Sequence, residues 1–207
     1  MNISSTRHRR YREVERLVIQ LRIARLQRRR VVVACGSDAQ FIDLPRLSLG
    51  EDTELKIGAL CILRSKSDSN PIGIDQPITF CTLAAGAQIV IGQRVGISGG
   101  TFSTRALIEI DDGTLIGAYT YIFDNDFHPL EPGAWARDAY SKARFAPGRI
   151  GSNVFVGARS TILKGVTIGD NAIVGAGSVV SQSIPANAIA AANPCKVRGQ
   201  PLVPNAK

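Results

Sequence analysis

Cut into sixes, residues 150–185 read IGSNVF, VGARST, ILKGVT, IGDNAI, VGAGSV and VSQSIP. Every block opens on a β-branched aliphatic residue: Ile150, Val156, Ile162, Ile168, Val174 and Val180. In four of them a glycine follows directly, at Gly151, Gly157, Gly169 and Gly175. A period of six is neither the 3.6 of an amphipathic helix nor the 2 of an alternating strand. It is the signature of a parallel β-helix, in which one residue of each short strand points inward and stacks on its neighbours. Three blocks make a triangular coil, so three aliphatic columns fill a narrow interior. The glycines, with Asn153, Asp170 and Asn171, are expected in the turns, where positive φ costs them little.

The pattern extends towards the N-terminus and then fades. Ile91-Gly92, Ile97, Ile110, Ile116-Gly117 and Ile122 keep the spacing, except that Ile97 and Ile110 are thirteen apart instead of twelve. One extra residue is therefore expected to bulge out near SGGTFST. Residues 32–80 are degenerate: VVVACGSDAQF reads as a strand and a turn, while Ile57-Gly58 and Ile72-Gly73 echo the repeat. Pro45, Pro71 and Pro77 interrupt it, and terminal coils of solenoids are commonly atypical. This gives a β-helix over 32–185 with a loop excursion at 123–149, preceded by a basic segment over 1–31. A closing segment over 186–207 is rich in small residues and then basic.

Composition agrees with that division. The chain of 207 residues is 44% hydrophobic but only 6% aromatic, as suits an interior with little room for rings. Its formal net charge of +8 sits largely in the first thirty residues. There, Val14, Leu17, Val18, Leu21 and Ala24 recur at helical spacing among arginines, which predicts a basic helix of about five turns. Such a helix could cap the open end of the β-helix, pack between copies, or lie on an anionic membrane surface. A nucleic-acid arm would want an aromatic platform or a known motif, and the segment has neither. No signal peptide or membrane-spanning run is recognisable. Cys35, Cys61, Cys81 and Cys195 are scattered without a CxxC, so neither a disulfide framework nor a metal site is expected, and the reading is cytoplasmic.

Between Ile122 and Ile150 the period stops. The stretch FDNDFHPLEPGAWARDAYSKARFAPGR contains the single tryptophan, Trp135, and three prolines, and the repeat resumes afterwards. Long loops in compact repeat domains usually carry function. At its base stands His128, one of only two histidines; the other, His8, sits among arginines in the basic segment. Imidazole is the side chain best matched to base chemistry near neutral pH. Asp124 or Asp126 could orient the ring and stabilise its protonated form. Pro129 and Pro132 would stiffen the segment. The plainer alternative is a turn residue flanked by aspartates.

The block DFHPLEP, the loop, the repeats and the ending NPCKV together resemble the hexapeptide-repeat acyltransferases. The likeness is strongest to the sugar O-acetyltransferase branch, with the maltose and galactoside acetyltransferases and enzymes that decorate surface polysaccharides. It covers roughly residues 84–200. The resemblance implies an all-β, left-handed parallel β-helix assembled as a homotrimer with sites between subunits. Handedness comes from the resemblance alone, since crossovers between parallel strands are right-handed in about 98% of cases.

In that family's mechanism His128 is the general base for an acceptor hydroxyl. Acetyl-CoA is the co-substrate, transfer is direct, and no metal is needed. Ala158 would offer a backbone N–H to the oxyanion. Phe155, Ala158, Lys164, Ala176, Ser181, Lys196 and Arg198 would hold the co-substrate, and Asn125 and Trp135 would meet the acceptor. The chain departs from the family at Ala192, where glycine is usual, and at Gln182, where lysine is common.

The reading is thus an O-acetyltransferase for a sugar of a capsule, O-antigen or exopolysaccharide, peripheral to the inner membrane if the basic helix binds there. Alternatives are an N-acetyltransferase of an amino sugar, a streptogramin-type xenobiotic acetyltransferase, or an inactive β-helix scaffold. A carbonic anhydrase of this fold needs three zinc-binding histidines, and two in the chain, one of them in the basic segment, argue strongly against it.

Overall fold

A computed structural model describes residues 30–134 and 140–200. The expected basic helix over 1–31 lies almost wholly outside the described residues, and Trp135 lies outside them too. The chain winds as a triangular prism with three parallel faces. The first face stacks β1 (Val32–Cys35), β4 (Glu54–Ile57), β7 (Gln88–Ile91), β10 (Leu107–Ile110), β13 (Gly148–Ile150) and β16 (Thr167–Ile168). The second stacks β2 (Gln40–Ile42), β5 (Ile62–Arg64), β8 (Gly96–Ser98), β11 (Leu115–Ile116), β14 (Phe155–Val156), β17 (Ile173–Val174) and β19 (Ile189–Ala191). The third stacks β3 (Arg46–Leu49), β6 (Thr79–Thr82), β9 (Gly100–Thr104), β12 (Thr120–Phe123), β15 (Thr161–Ile162) and β18 (Val179–Val180). A last strand, β20 (Lys196–Gly199), pairs antiparallel with β19 and covers the end of the second face.

The repeat sets the core. Ile57, Ile91, Ile110, Ile150 and Ile168 stand in register up the first face. Leu63, Ile97, Ile116, Val156, Val174 and Ala190 do so on the second. Phe80, Phe102, Ile122, Ile162 and Val180 do so on the third. All are buried, and each aliphatic side chain so removed from water contributes about 1.5–3 kcal/mol before entropy is counted. Two rings do fit inside, contrary to the compositional expectation. Phe80 and Phe102 pack at 5.3 Å in the earlier coils, where four- and five-residue strands make a wider cross-section than the two-residue strands near the C-terminus.

Three details of the sequence reading change. The glycines after the aliphatic residues do not adopt positive φ; a side chain at Gly169 would overlap the backbone of Ala186, one coil on. Positive φ falls on the third corner residue, at Asn153 and Asn171 as expected and also at Asn187 (56°, 58° and 57°). Their amides join into a ladder, at 3.5 Å from Asn153 to Asn171 and 3.0 Å from Asn171 to Asn187. The thirteen-residue step contains no bulge, because β9 stays in continuous register with β6 and β12. The corner before Phe102 is one residue short, and β9 is long enough to bury Thr104 as well. Finally, Ile72 is 65% exposed on a second excursion, residues 65–78, and is no coil position.

Candidate functional site

The loop leaves the prism after β12, on the edge between the third and first faces, and returns at β13. The corner below it, after β9, has only Arg105 and Ala106, too few to satisfy its own amides. Asp124 supplies what is missing. Its fully buried carboxylate accepts from the N–H groups of Arg105 (2.7 Å), Ala106 (2.7 Å) and Leu107 (3.1 Å) and from Thr104 Oγ1 (2.5 Å). Asp124 is thereby committed to the backbone.

Asn125 is also turned inward, 5% exposed. Its amide donates to Asp124 Oδ1 and its oxygen accepts from the N–H of Phe127. That bond holds Phe127 at a φ of 59°, a left-handed conformation uncommon for an aromatic residue and of the kind found in functional loops. The ring of Phe127 packs edge-on against Phe123 at 5.0 Å. His128 follows at once, exposed, with its backbone N–H donating to the Asp126 carbonyl at 2.6 Å. The return strand is pinned by the Ala146 N–H donating to the Asp124 carbonyl. The histidine is thus presented by a segment whose backbone is fixed on both sides.

Asp126 Oδ1 meets Lys164 Nζ at 2.6 Å, across one coil. Its other oxygen, Oδ2, is buried and accepts no hydrogen bond. Among the described residues, three buried side-chain atoms are left without partners: Asp126 Oδ2, Ser103 Oγ and Arg105 Nε. All three lie around the base of this loop. Buried polar atoms are nearly always paired, so orphans concentrated at one corner mark a place built for something other than stability.

The anticipated site residues fall into separate groups. His128, Asp126, Lys164 and Ser181 share the edge between the third and first faces. Ala158 and Ala176 lie on the edge between the second and third faces, and among the described residues their N–H groups donate to no backbone carbonyl. Phe155 stands on the outside of the second face, 47% exposed, and Lys196 and Arg198 lie on exposed β20. A single chain does not bring these groups together.

One feature was missed in the sequence. Asp75, Gln76, Tyr119, Tyr121, Arg159 and Thr161 line an open depression of about 370 Å³ where the third face meets its neighbour. The hexads IGAYTY and VGARST, aligned, already stack Tyr119 under Arg159 and Tyr121 under Thr161. Asp75 and Gln76 come from the 65–78 excursion, which no period locates.

Comparison with known proteins agrees with the fold. Residues 147–182 match a family model described as a hexapeptide repeat of succinyl-transferase. Galactoside O-acetyltransferase of Escherichia coli (strain K12) is 53% identical over 51 residues, 25% of this chain and 25% of that protein. A solved galactoside acetyltransferase in complex with coenzyme A superposes with a TM-score of 0.51 at 26% identity, over 69% of this chain and 65% of that one. A hexapeptide-repeat acetyltransferase of Vibrio cholerae O1 biovar eltor, complexed with acetyl coenzyme A, gives 0.53 at 20% identity over 91% and 78%. The fold is the left-handed parallel β-helix, and the chain is similar to hexapeptide-repeat acetyltransferases, a galactoside acetyltransferase among them. The matched segments span between 25% and 37% of the curated relatives' own lengths. Among the described residues no helix is long and apolar enough to cross a membrane.

Proposed function

We propose that this protein is an acetyl-CoA-dependent O-acetyltransferase acting on a sugar hydroxyl, with His128 as general base. The observation that carries the reading is the loop base: an exposed histidine on a pinned, strained segment of a loop at whose foot the orphaned polar atoms gather. The imidazole takes the proton of the acceptor hydroxyl as that oxygen becomes nucleophilic, and holds it until the leaving group needs it. Asp126, two residues before the imidazole, is anchored by Lys164 and fixes the segment that presents it. Asp124 and Asn125 hold the segment in place and touch no reacting atom.

Acetyl-CoA supplies the acetyl group in activated form, and the chain offers fitting features. The unpaired N–H groups of Ala158 and Ala176 can donate to carbonyl oxygens, that of Ala158 where negative charge develops. Phe155 gives an apolar wall, and Lys196 and Arg198 give positive charge suited to phosphates. Ser181 lies on the edge with Lys164, within the same reading. Coenzyme A and acetyl coenzyme A in the two solved relatives support this assignment.

Because these groups occupy different edges, the working unit is a homotrimer in which one copy's loop meets its neighbour's corner. A column on the outside of the second face supports it: Ile62, Leu115, Phe155, Ile173 and Ile189 stand in register, interrupted by Gly96, with Leu115 53% exposed. The test is acetyl-CoA-dependent release of CoA against neutral sugars, amino sugars and oligosaccharides, with His128→Ala alongside. The variant should lose about 10²–10⁴-fold in kcat while sedimenting as the parent does. Undiminished turnover would overturn the role of His128, and absence of release with every acceptor would overturn the activity.

A further inference from the structure

The two ends of the prism are finished differently. At one end β20 lies across the second face. At the other the first coil, β1 to β3, stands open: among the described residues no strand pairs with the outer edges of these three. Its inward side chains continue the core columns. Val33 stands in register with Leu55, Cys35 with Ile57, Phe41 with Leu63 and Leu47 with Phe80. Leu55, Ile57, Leu63 and Phe80 are all buried, yet Val33, Phe41 and Leu47 are only half-buried and Cys35 is exposed. An apolar layer framed by three free strand edges favours stacking and aggregation, and repeat proteins close such ends with a cap.

The chain carries a segment suited to this layer. Val31, the residue before β1, is buried in the core cluster, so the preceding residues reach the prism at this end. Arg30 holds a φ of 56°, the left-handed conformation in which helices commonly end and one uncommon for a long side chain. Its guanidinium pairs with Asp52 of the next coil at 3.3 Å. Directly upstream, Val14, Leu17, Val18, Leu21 and Ala24 recur at helical spacing. A helix over residues 12–29 would be about 27 Å long, against about 13 Å for a four-residue strand such as β1, so it is long enough to cross the open end.

We infer that residues 12–29 close the open end of their own prism, with the Val14–Leu17–Val18–Leu21–Ala24 strip lying on Val33, Cys35, Phe41 and Leu47. The arginines that flank the strip stay in water, since burying an unpaired charge over this layer would be costly. A second copy stacked end to end would have to displace a segment already tethered beside the layer, and a short tether holds it at an effective concentration in the millimolar range. The inference is independent of the acetyltransferase reading.

Cys35 makes the test direct. The full chain is labelled in its native state with a maleimide, and each cysteine is followed by mass spectrometry, with buried Cys61 reporting that the prism is intact. Cys35 should react at least tenfold more slowly than a free thiol. Leu17→Asp and Leu21→Asp should each speed that reaction at least tenfold while Cys61 stays unlabelled, and Ile19→Asp, on the opposite side of the helix, should leave it as in the parent. If the charged variants also open Cys61, single cysteines decide: Leu17→Cys or Leu21→Cys should form a disulfide with Cys35 under a mild oxidant, and Ile19→Cys should not. Cys35 reacting in the parent as fast as a free thiol overturns the inference, as does protection that Leu17→Asp and Leu21→Asp leave unchanged. Protection that falls on dilution assigns the layer to a second copy, and protection lost on adding phosphatidylglycerol vesicles assigns the strip to a membrane surface; either result also overturns it.

Discussion

Seven corners stack along the edge between the first and second faces, and in each the third residue carries positive φ: Asp38, Leu60, Arg94, Gly113, Asn153, Asn171 and Asn187. Along the edge between the third and first faces no two neighbouring corners have the same length: they run from two residues after β9 to the long excursion after β12. The first of these edges satisfies its polar groups by repetition, amide upon amide. The other needs a buried aspartate to satisfy one corner and still leaves three buried polar atoms unpaired. Regularity serves stability, and the unpaired polar atoms gather where the regularity is given up.

The largest effect should come from the irregular edge. Asp124→Ala leaves the N–H groups of Arg105 and Leu107 and the buried Thr104 hydroxyl without their acceptor in a part-buried corner, while the Ala106 N–H keeps Thr104 Oγ1, and each orphaned group costs about 1–3 kcal/mol. We expect a loss of about 3–5 kcal/mol, read as a fall in the urea midpoint with the slope unchanged. A loss below about 1 kcal/mol would mean that the corner relaxes and that Asp124 is not its keystone. His128→Ala, on the same edge, should leave that midpoint where it is.

The regular edge should be sensitive for a different reason. Gly169→Ala forces a methyl into the backbone of Ala186 and should cost about 1–3 kcal/mol, the usual price of overpacking. Gly148→Ala, at the foot of the excursion, has nothing within 4 Å of the new methyl and should fall within about 0.5 kcal/mol of the parent. Equal effects in thermal melts would erase the contrast between the edges.

The smallest effect concerns charge on the regular edge. Asp111 is pushed above the usual carboxylate range, first by burial and then by the neighbouring Asp170 and Asp112. The folded chain therefore holds this proton to higher pH than the unfolded chain does. The stability linked to it is present below the unfolded value, about 3.9, and is lost as pH rises through the folded one. Asp111→Asn should raise Tm slightly at pH 7 and leave it unchanged at pH 3. A rise at both values would point to packing and not to charge.

How far the sequence could be read follows the same division. The hexads after Ile150 gave the coil, the three core columns and the place where the period breaks, because each strand meets the equivalent strand one coil away and stacking is local in the repeat. They also gave His128, as the histidine next to that break. The roles of Asp124 and Asn125 were not legible: both were read as facing the chemistry, yet both satisfy the backbone. The corner that Asp124 serves lies some eighteen residues earlier, and its shortage of residues is a property of three-dimensional register. Rings inside the prism were missed because composition averages over coils of different width.

By itself, then, the sequence determined the winding, its interior and the position of the loop. A six-residue period with β-branched residues has one way to bury them. Only the tertiary structure decided which polar groups are consumed by the fold and which remain for a ligand. It alone brought Asp75 and Gln76, from an aperiodic excursion, against Tyr119, Tyr121 and Arg159. Side-chain hydrogen bonds depend on where distant segments meet, and periodicity fixes that only where the repeat is unbroken.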